Sequence, residues 1–342
     1  MSVDAARLHR DSLVVDGHSD SVPVHAASGR SMGGGDTGAA HDGTIRHLRG
    51  KHAENRMQLD FASMRDGGID VAFCAMYVSR DWNNELAVLM DGIGVLFREA
   101  DAFQLETGQE VRVVRTAADI DRCKADGALG ALIALEDSDG IQRSLNTLRS
   151  LYELGLRSVG ITHNPTSWAA AGLHEESSGG GLTQFGVALV EELESLGIIT
   201  DVAHLPKKGF WDVAEVARGP IVSTHGNCQA LCSHPRNLDD TQLEAVAASG
   251  GLVGMTFLPK FLSDSGTASL DDLLRHVDRA IEVMGPEHVG LGSDFDGGGT
   301  LLASAADYPT LTETMLSHGL SEEVVRGILG QNFRRVIAQV CG

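Results

Sequence analysis

The chain predicts a (β/α)8 barrel of the TIM type, carrying loop insertions at the face where the strands end. Short, nearly continuous apolar runs recur eight times, and segments of helical periodicity alternate with them. The length of 342 residues accommodates the roughly 250 that such a barrel needs, with the excess in loops. An open doubly wound sheet is the competing arrangement, but it normally shows fewer units. One domain over residues 1–342 is therefore expected.

The eight runs are LVVDGHSD (13–20), VAFCAMYVS (71–79), ALIALED (131–137), RSVGITHN (157–164), IITDVAHL (198–205), PIVSTHG (220–226), LVGMTFL (252–258) and VGLGSDFDG (289–297). Each is brief, rich in β-branched residues and closes on polar ones, as parallel strands buried on both faces do. Helices are expected over 84–107, 141–155, 183–197, 208–217, 239–249, 270–284 and 321–340. Thr183 and Asp240 suit N-caps, and Gly155 and Gly197 stand where helices stop. Two glycine-rich stretches, 26–52 and 172–182, break the repeat after the first and fourth strands. Barrel active sites are built at that face, so both stretches are expected either to border or cover the site or to be disordered surface decoration.

Composition narrows the function. Hydrophobic residues at 42% and charged residues at 22% describe a globular protein with a sizeable core. A net charge of −20, with no basic run, excludes nucleic acid as a partner. Five cysteines without a CxxC fit neither a thiolate zinc site nor a disulfide framework, so reduced thiols in a cytoplasm are expected. No apolar segment reaches the length of a membrane span, and the first twenty residues have no apolar stretch of the signal-peptide kind.

The chemistry sits at the strand ends. The first run ends His18-Ser19-Asp20, the third Glu136-Asp137 and the fourth His163-Asn164; the fifth, sixth and eighth present His204, His225 and Asp294. A closed barrel brings these imidazoles and carboxylates together over one mouth. Asp16, His18 and Asp20 alternate, which predicts that all three face the interior. Buried carboxylates need a compensating cation, and a set of three His and two carboxylates suits zinc better than calcium or magnesium. Five ligands exceed one tetrahedral site but suit two metals sharing a carboxylate. Each histidine alone is more often a hydrogen-bonded structural residue; it is their joint occurrence that argues for a site. The remaining histidines receive no role, though His174 is placed to approach the mouth.

These residues resemble the membrane dipeptidase (renal dipeptidase) family, within the amidohydrolase-like barrels. The similarity runs from about residue 12 to 335 and is carried by VVDGHSD, ALED, GITHN, TDVAH, the strand-six His, SHPRNLDD and HVGLGSDFDG. Other amidohydrolases mostly show HxH where this chain has His18-Ser19-Asp20. The resemblance implies two zinc ions, held by His18, Asp20, Glu136, His204 and His225, with Glu136 as the bridge. It implies that His163 stabilises the oxyanion, that Arg236 holds the substrate's C-terminal carboxylate, and that Asp294 handles the proton. The implied substrates are dipeptides, frequently with a C-terminal D-residue, and family members are often homodimers. A related hydrolase acting on N-acyl amino acids, lactams or lactones is the alternative.

Three stretches depart from the family pattern: Glu136-Asp137-Ser138-Asp139-Gly140, Thr224-His225-Gly226 and Phe257-Leu258-Pro259. The metal set is untouched. Asp137 and Asp139 are expected either to favour a positively charged substrate side chain or to lie solvated at a helix N-terminus.

Overall fold

The computed structural model describes residues 4–23, 30–32, 35–36, 57–78 and 84–342. Each of the eight apolar runs coincides with a strand, β3 and β4 starting two residues and one residue earlier than their runs: β1 (Val15–Ser19), β2 (Val71–Met76), β3 (Leu129–Leu135), β4 (Leu156–Gly160), β5 (Ile199–Asp201), β6 (Ile221–Gly226), β7 (Leu252–Met255) and β8 (Val289–Leu291). They pair in that order, all in parallel. Just beyond the ends of β1 and β8 the seam is tied by two hydrogen bonds, Asp294 N to His18 O at 3.1 Å and Asp20 N to Phe295 O at 2.9 Å. The result is a nearly closed (β/α)8 barrel, the expected TIM-type fold.

A further short strand, Val111–Val113, pairs with Leu129–Ala131 at the N-terminal end of β3. It fits there because β4 joins β3 only from Ile133 onward. Three residues are too few for a periodicity to register, and the sequence pattern passes over it.

The helices follow the expected positions with informative exceptions. Thr183 caps Gln184–Leu196 through its side chain, and Gly155 and Gly197 end their helices in the left-handed conformation that glycine adopts at least cost. The cap of Asp240–Ala248 is Asp239 rather than Asp240, because Asp239 and Gln242 form a reciprocal capping box. The segment expected as one helix over 321–340 is Glu322–Arg326, a π-helical turn at Gly327–Gln331, and Asn332–Val340. Gly330 lies in that turn against the Leu13 carbonyl, where a Cβ would approach to 2.6 Å. Helices Ala5–Asp11, Phe61–Asp66, Ala117–Asp126 and Pro309–His318 escaped the sequence reading. The stretch 26–52 lies largely outside the described residues, whereas 172–182 contains the 3-10 segment Leu173–Ser178.

Two cores flank the sheet. The larger packs the helices on the outside of the barrel and includes Ala72, Cys74 and Met76 of β2. The smaller joins Val15, Val71, Phe73, Leu132, Ile199, Val222 and Leu252 from the strands to Phe333, Val336 and Ile337 of the last helix. It fills the barrel toward the strand N-termini, opposite the end that carries the chemistry. Gly17 serves this packing: a Cβ there would stand 2.2 Å from Phe333 Cζ.

The alternation expected for Asp16, His18 and Asp20 fails at Asp16. The pairing of β1 with β2 shifts between Asp16 and Ser19, a bulge that changes which face each residue meets. Asp16 is paired with Ala72 of the outer core, and its carboxylate accepts from Ser293 N at 2.8 Å and Ser293 Oγ at 2.6 Å. Burial raises its pKa to about 6, against those hydrogen bonds.

Phe333 is fully buried, with its ring centroid 5.3 Å from that of Phe73. Phe333→Ala is expected to lower the unfolding free energy by about 3–5 kcal/mol. Urea titration followed by circular dichroism measures this; a loss under about 1 kcal/mol would show that the ring is not part of a tightly packed plug.

Candidate metal centre

Local structure aims each side chain at the mouth. Glu136 directly follows β3, and His225 lies within β6. His204 stands three residues past β5, at φ 67°, after a turn in which Asp201 Oδ1 accepts from Ala203 N at 3.0 Å. Asp294 also has positive φ, 59°, and its carbonyl collects the amides of Gly297, Gly298 and Gly299. Such backbone is strained for a non-glycine residue and is held by these surrounding bonds. Gly297 is obligatory beside the mouth, because a Cβ there would fall 2.0 Å from Asp20 Oδ2.

One carboxylate oxygen is the meeting point. Glu136 Oε1 lies 3.1 Å from His204 Nε2, 3.5 Å from His18 Nε2, 3.7 Å from His163 Nε2 and 3.8 Å from His225 Nε2. His18 Nε2 lies 3.7 Å from Asp20 Oδ2. Ligand atoms converge in three overlapping groups: His18, Glu136 and His225; Glu136, His163 and His204; and His18, Asp20 and Asp294. Every site residue read from the sequence except Arg236 falls in one of them.

The donor set fits divalent metal on its own chemistry. His204 Nδ1 bonds Asn164 Oδ1 at 3.0 Å, which makes Nδ1 the protonated nitrogen and leaves a lone pair on Nε2. Thr224 Oγ1 donates to Asp201 Oδ2 at 2.5 Å and so accepts from His225 Nδ1 at 3.0 Å, with the same consequence. The two Nε2 atoms therefore face each other at 2.9 Å as acceptors, beside the Glu136 carboxylate. Burial, then neighbouring positive charge, lowers both imidazole pKa values well below the ordinary range, so a bridging proton does not resolve the contact. A cation does. His18 Nε2 and Asp20 Oδ1 are buried without a hydrogen-bond partner, as ligand atoms of a metal would be. Asn164, Asp201 and Thr224 fix ring orientation from behind, a role the sequence reading missed. Their signal was a polar residue within one to three positions of a candidate ligand in an otherwise apolar run.

Around this centre is a cavity of about 580 Å3. Asp20, Glu136, Asp294, Arg236 and Lys260 line it, and Tyr77, Leu258 and Phe261 supply apolar wall. His174 lines it as expected; so does His234, which the sequence left without a role. Arg236 is buried, its Nε has no hydrogen-bond partner, and Nη2 reaches only His225 O, at 3.5 Å. Burial lowers its pKa to about 10, while Asp294 and Glu136 favour its charge. His163 is held neutral, its pKa lowered to about 3 by burial and then by Arg236. Burial, then the Asp20 charge, raises the Asp294 pKa well above the usual carboxylate range. Asp296 lines the cavity too, but its oxygens accept from Ser21 Oγ, Gln58 N and Leu59 N.

Asp137 and Asp139 stand at a helix N-terminus as one expectation had it, Asp137 capping the 3-10 segment Ser138–Ile141 by accepting from Asp139 N at 2.8 Å, but the expected solvation and the substrate contact are corrected. They are buried, neither lines the cavity, and neither is solvated. Asp137 Oδ2 accepts from His163 N and Asp139 Oδ1 from Trp168 N, each at 2.9 Å. They fasten the loop after β4 that carries His163.

Comparison with known proteins places the chain in a family. The family model described as membrane dipeptidase (peptidase family M19) matches residues 3–341. Dipeptidase aclJ of Aspergillus oryzae is 30% identical over 301 residues, which cover 84% of this chain and 71% of that protein. The crystal structure of a metallopeptidase called dipeptidase AC superposes with a TM-score of 0.82 at 30% identity, covering 97% of this chain and 99% of that one. A Rhodobacter sphaeroides metallopeptidase, liganded with a phosphinate mimic of the dipeptide L-Ala-D-Ala, gives 0.78 at 28% identity, covering 96% and 100%. The match over nearly the whole chain, on a barrel with this donor set at its mouth, means that the chain belongs to the membrane dipeptidase family of metallopeptidases, peptidase family M19.

Proposed function

We propose that the chain is a dinuclear-zinc dipeptidase whose substrates include dipeptides with a C-terminal D-residue. The observation that carries this is the convergence of four imidazoles on Glu136 Oε1, with Asp20 and Asp294 adjoining. His18 and Asp20 would hold one zinc, His204 and His225 the other, and Glu136 both. When bound, the zincs polarise the scissile carbonyl and acidify water toward neutral pH. The relative holding an L-Ala-D-Ala mimic supports the substrate class, and five unpaired thiols support a cytoplasmic setting.

The chain's own groups supply the rest. The unpaired Arg236 guanidinium anchors the substrate's C-terminal carboxylate, for which its planar fork is suited. Neutral His163 donates an N–H to the carbonyl oxygen as negative charge develops there. Asp294 takes the proton of the attacking water and delivers it to the departing nitrogen, since an amide anion is too poor a leaving group. Asp296 is already committed to three donors and is placed to support the loop rather than to cycle a proton.

The zinc-reconstituted protein should hydrolyse unblocked dipeptides in preference to N-acyl amino acids, lactams and lactones. It should also approach two zincs per chain by elemental analysis after removal of excess metal. Preference for the acylated substrates would favour the alternative hydrolase; a ceiling of one zinc in fully active protein would exclude the dinuclear centre.

Asp294→Asn is expected to keep the fold and most of the zinc while kcat falls about 10²–10⁴-fold. Asp296→Asn, the control, should lose far less. Near-normal turnover would remove Asp294 from proton transfer, and loss of a zinc would recast it as a ligand. For Arg236→Ala, kcat/KM should fall more for a dipeptide than for its C-terminal amide, by the about 1.5–3 kcal/mol of a charge-assisted bond. Equal losses on the two substrates would mean that Arg236 does not meet the carboxylate.

A further inference from the structure

The cavity carries more positive charge than one substrate carboxylate can use. Arg236 answers a dipeptide's single C-terminal carboxylate, yet Lys260 lines the same cavity. Of the four described lysines, Lys124, Lys207 and Lys208 pair with Asp70, Asp239 and Asp212. Lys260 has no such pair among the described residues. Asp264, four residues beyond it and past the end of the helix Pro259–Leu262, accepts instead from Ser233 N at 3.0 Å.

Its placement relative to Arg236 is built in. Lys260 Nζ and Arg236 Cζ each lie 5.5 Å from the centroid of the Phe261 ring, so the two charges are at most about 11 Å apart. Asn237 straps the segments that carry them: its Nδ2 donates to Phe261 O at 2.8 Å and to Cys232 O at 2.9 Å. Cys232 Sγ adds a contact to Lys260 O at 3.4 Å. The His234 ring, 4.3 Å from the Phe261 ring, lies in the same cationic field: burial, then Lys260 and Arg236, lowers its pKa. The lining thus combines the carboxylates Asp20, Glu136, Asp294 and Asp296 with two cations, Arg236 and Lys260, and of these cations it is Arg236 whose charge Asp294 and Glu136 favour. Asp137 and Asp139 are buried and engaged elsewhere, so they do not offset Arg236 and Lys260.

Building on the dipeptidase reading, we propose that Lys260 determines specificity by binding a second carboxylate of the substrate, so that dipeptides ending in Asp or Glu are preferred. Once Arg236 has fixed the C-terminal carboxylate, the side chain of that same residue is the part of the substrate nearest to it. An acidic side chain there places two negative charges against two positive ones held in fixed relation. Any preference must arise mainly in binding, because Lys260 has no part in the bond-breaking step.

The test uses the full zinc-loaded chain with Ala-Asp and the near-isosteric Ala-Asn, each with the C-terminal residue in L and D form, beside Ala-Ala. Wild type should favour Asp over Asn in kcat/KM by about two- to fivefold, the range of a solvent-accessible ion pair, expressed in KM. Raising ionic strength should narrow the ratio. In Lys260→Gln the ratio should fall toward one, and in Lys260→Glu it should invert. Lys260 is exposed, so both variants are expected to fold, and their zinc content checks this. Turnover of Ala-Ala without an Asp preference, or with a preference that Lys260→Glu leaves unmoved, overturns the role of Lys260 alone. No turnover of any dipeptide overturns the dipeptidase reading, and this inference with it.

Discussion

Everything at the mouth of this barrel turns on the Glu136 carboxylate and the imidazoles around it. Four ring nitrogens within 3.8 Å of one oxygen cannot be explained by packing. Each of these groups prefers water, and burying them together is strongly unfavourable without compensation. A doubly charged cation turns the same concentration of lone pairs into coordination bonds. The surrounding structure reflects this requirement: Asn164 and Thr224 turn their imidazoles so that Nε2 points inward, and Asp201 anchors Thr224 from behind.

The geometry that achieves this is assembled from small departures from regular structure. A bulge in β1 separates Asp16 from His18, committing the first to Ser293 and the second to the mouth. Positive φ at His204, Asp294 and Asp296 turns the chain back over the barrel end. Of the three glycines after Asp296, Gly297 gives the eighth loop room beside Asp20, and Gly299 lets it pass close to the Ser293 carbonyl. Regular strands bring these loops together, and the irregular residues then aim the side chains.

The strand order and the clustering of His18, Asp20, Glu136, His163, His204, His225 and Asp294 were legible because both are written as local pattern. An apolar run that ends in His, Asp or Glu reads the same way wherever it occurs, and eight of them imply a common face. What escaped was information held between distant segments. Asp137 looks like a spare charge next to Glu136, and only its bond to the His163 amide, from the following βα unit, reveals a clamp. Asp16 looks like a third member of the His18 and Asp20 series until the register with β2 is known. Lys260 follows an unremarkable Leu-Pro, and its meaning depends on sharing the Phe261 ring with Arg236. The Val111–Val113 strand was missed for a simpler reason: it is defined by its neighbour rather than by its own sequence.

The seam of the barrel has a consequence for how the molecule comes into being. The hydrogen bonds that join the ends of β1 and β8 run through the backbone of His18, Asp20, Asp294 and Phe295. The last strand must therefore dock against the first before Asp294 can stand beside His18 and Asp20. During synthesis, the emerging N-terminal strand holds His18 and Asp20 long before the other clustered donors exist, and the full cluster forms only when nearly the whole chain is available. Metal captured at that point binds the native state and stabilises the seam as well as the site. Chains that stop short, or that open at β8, lose both together, so metal retention would report the integrity of the whole barrel.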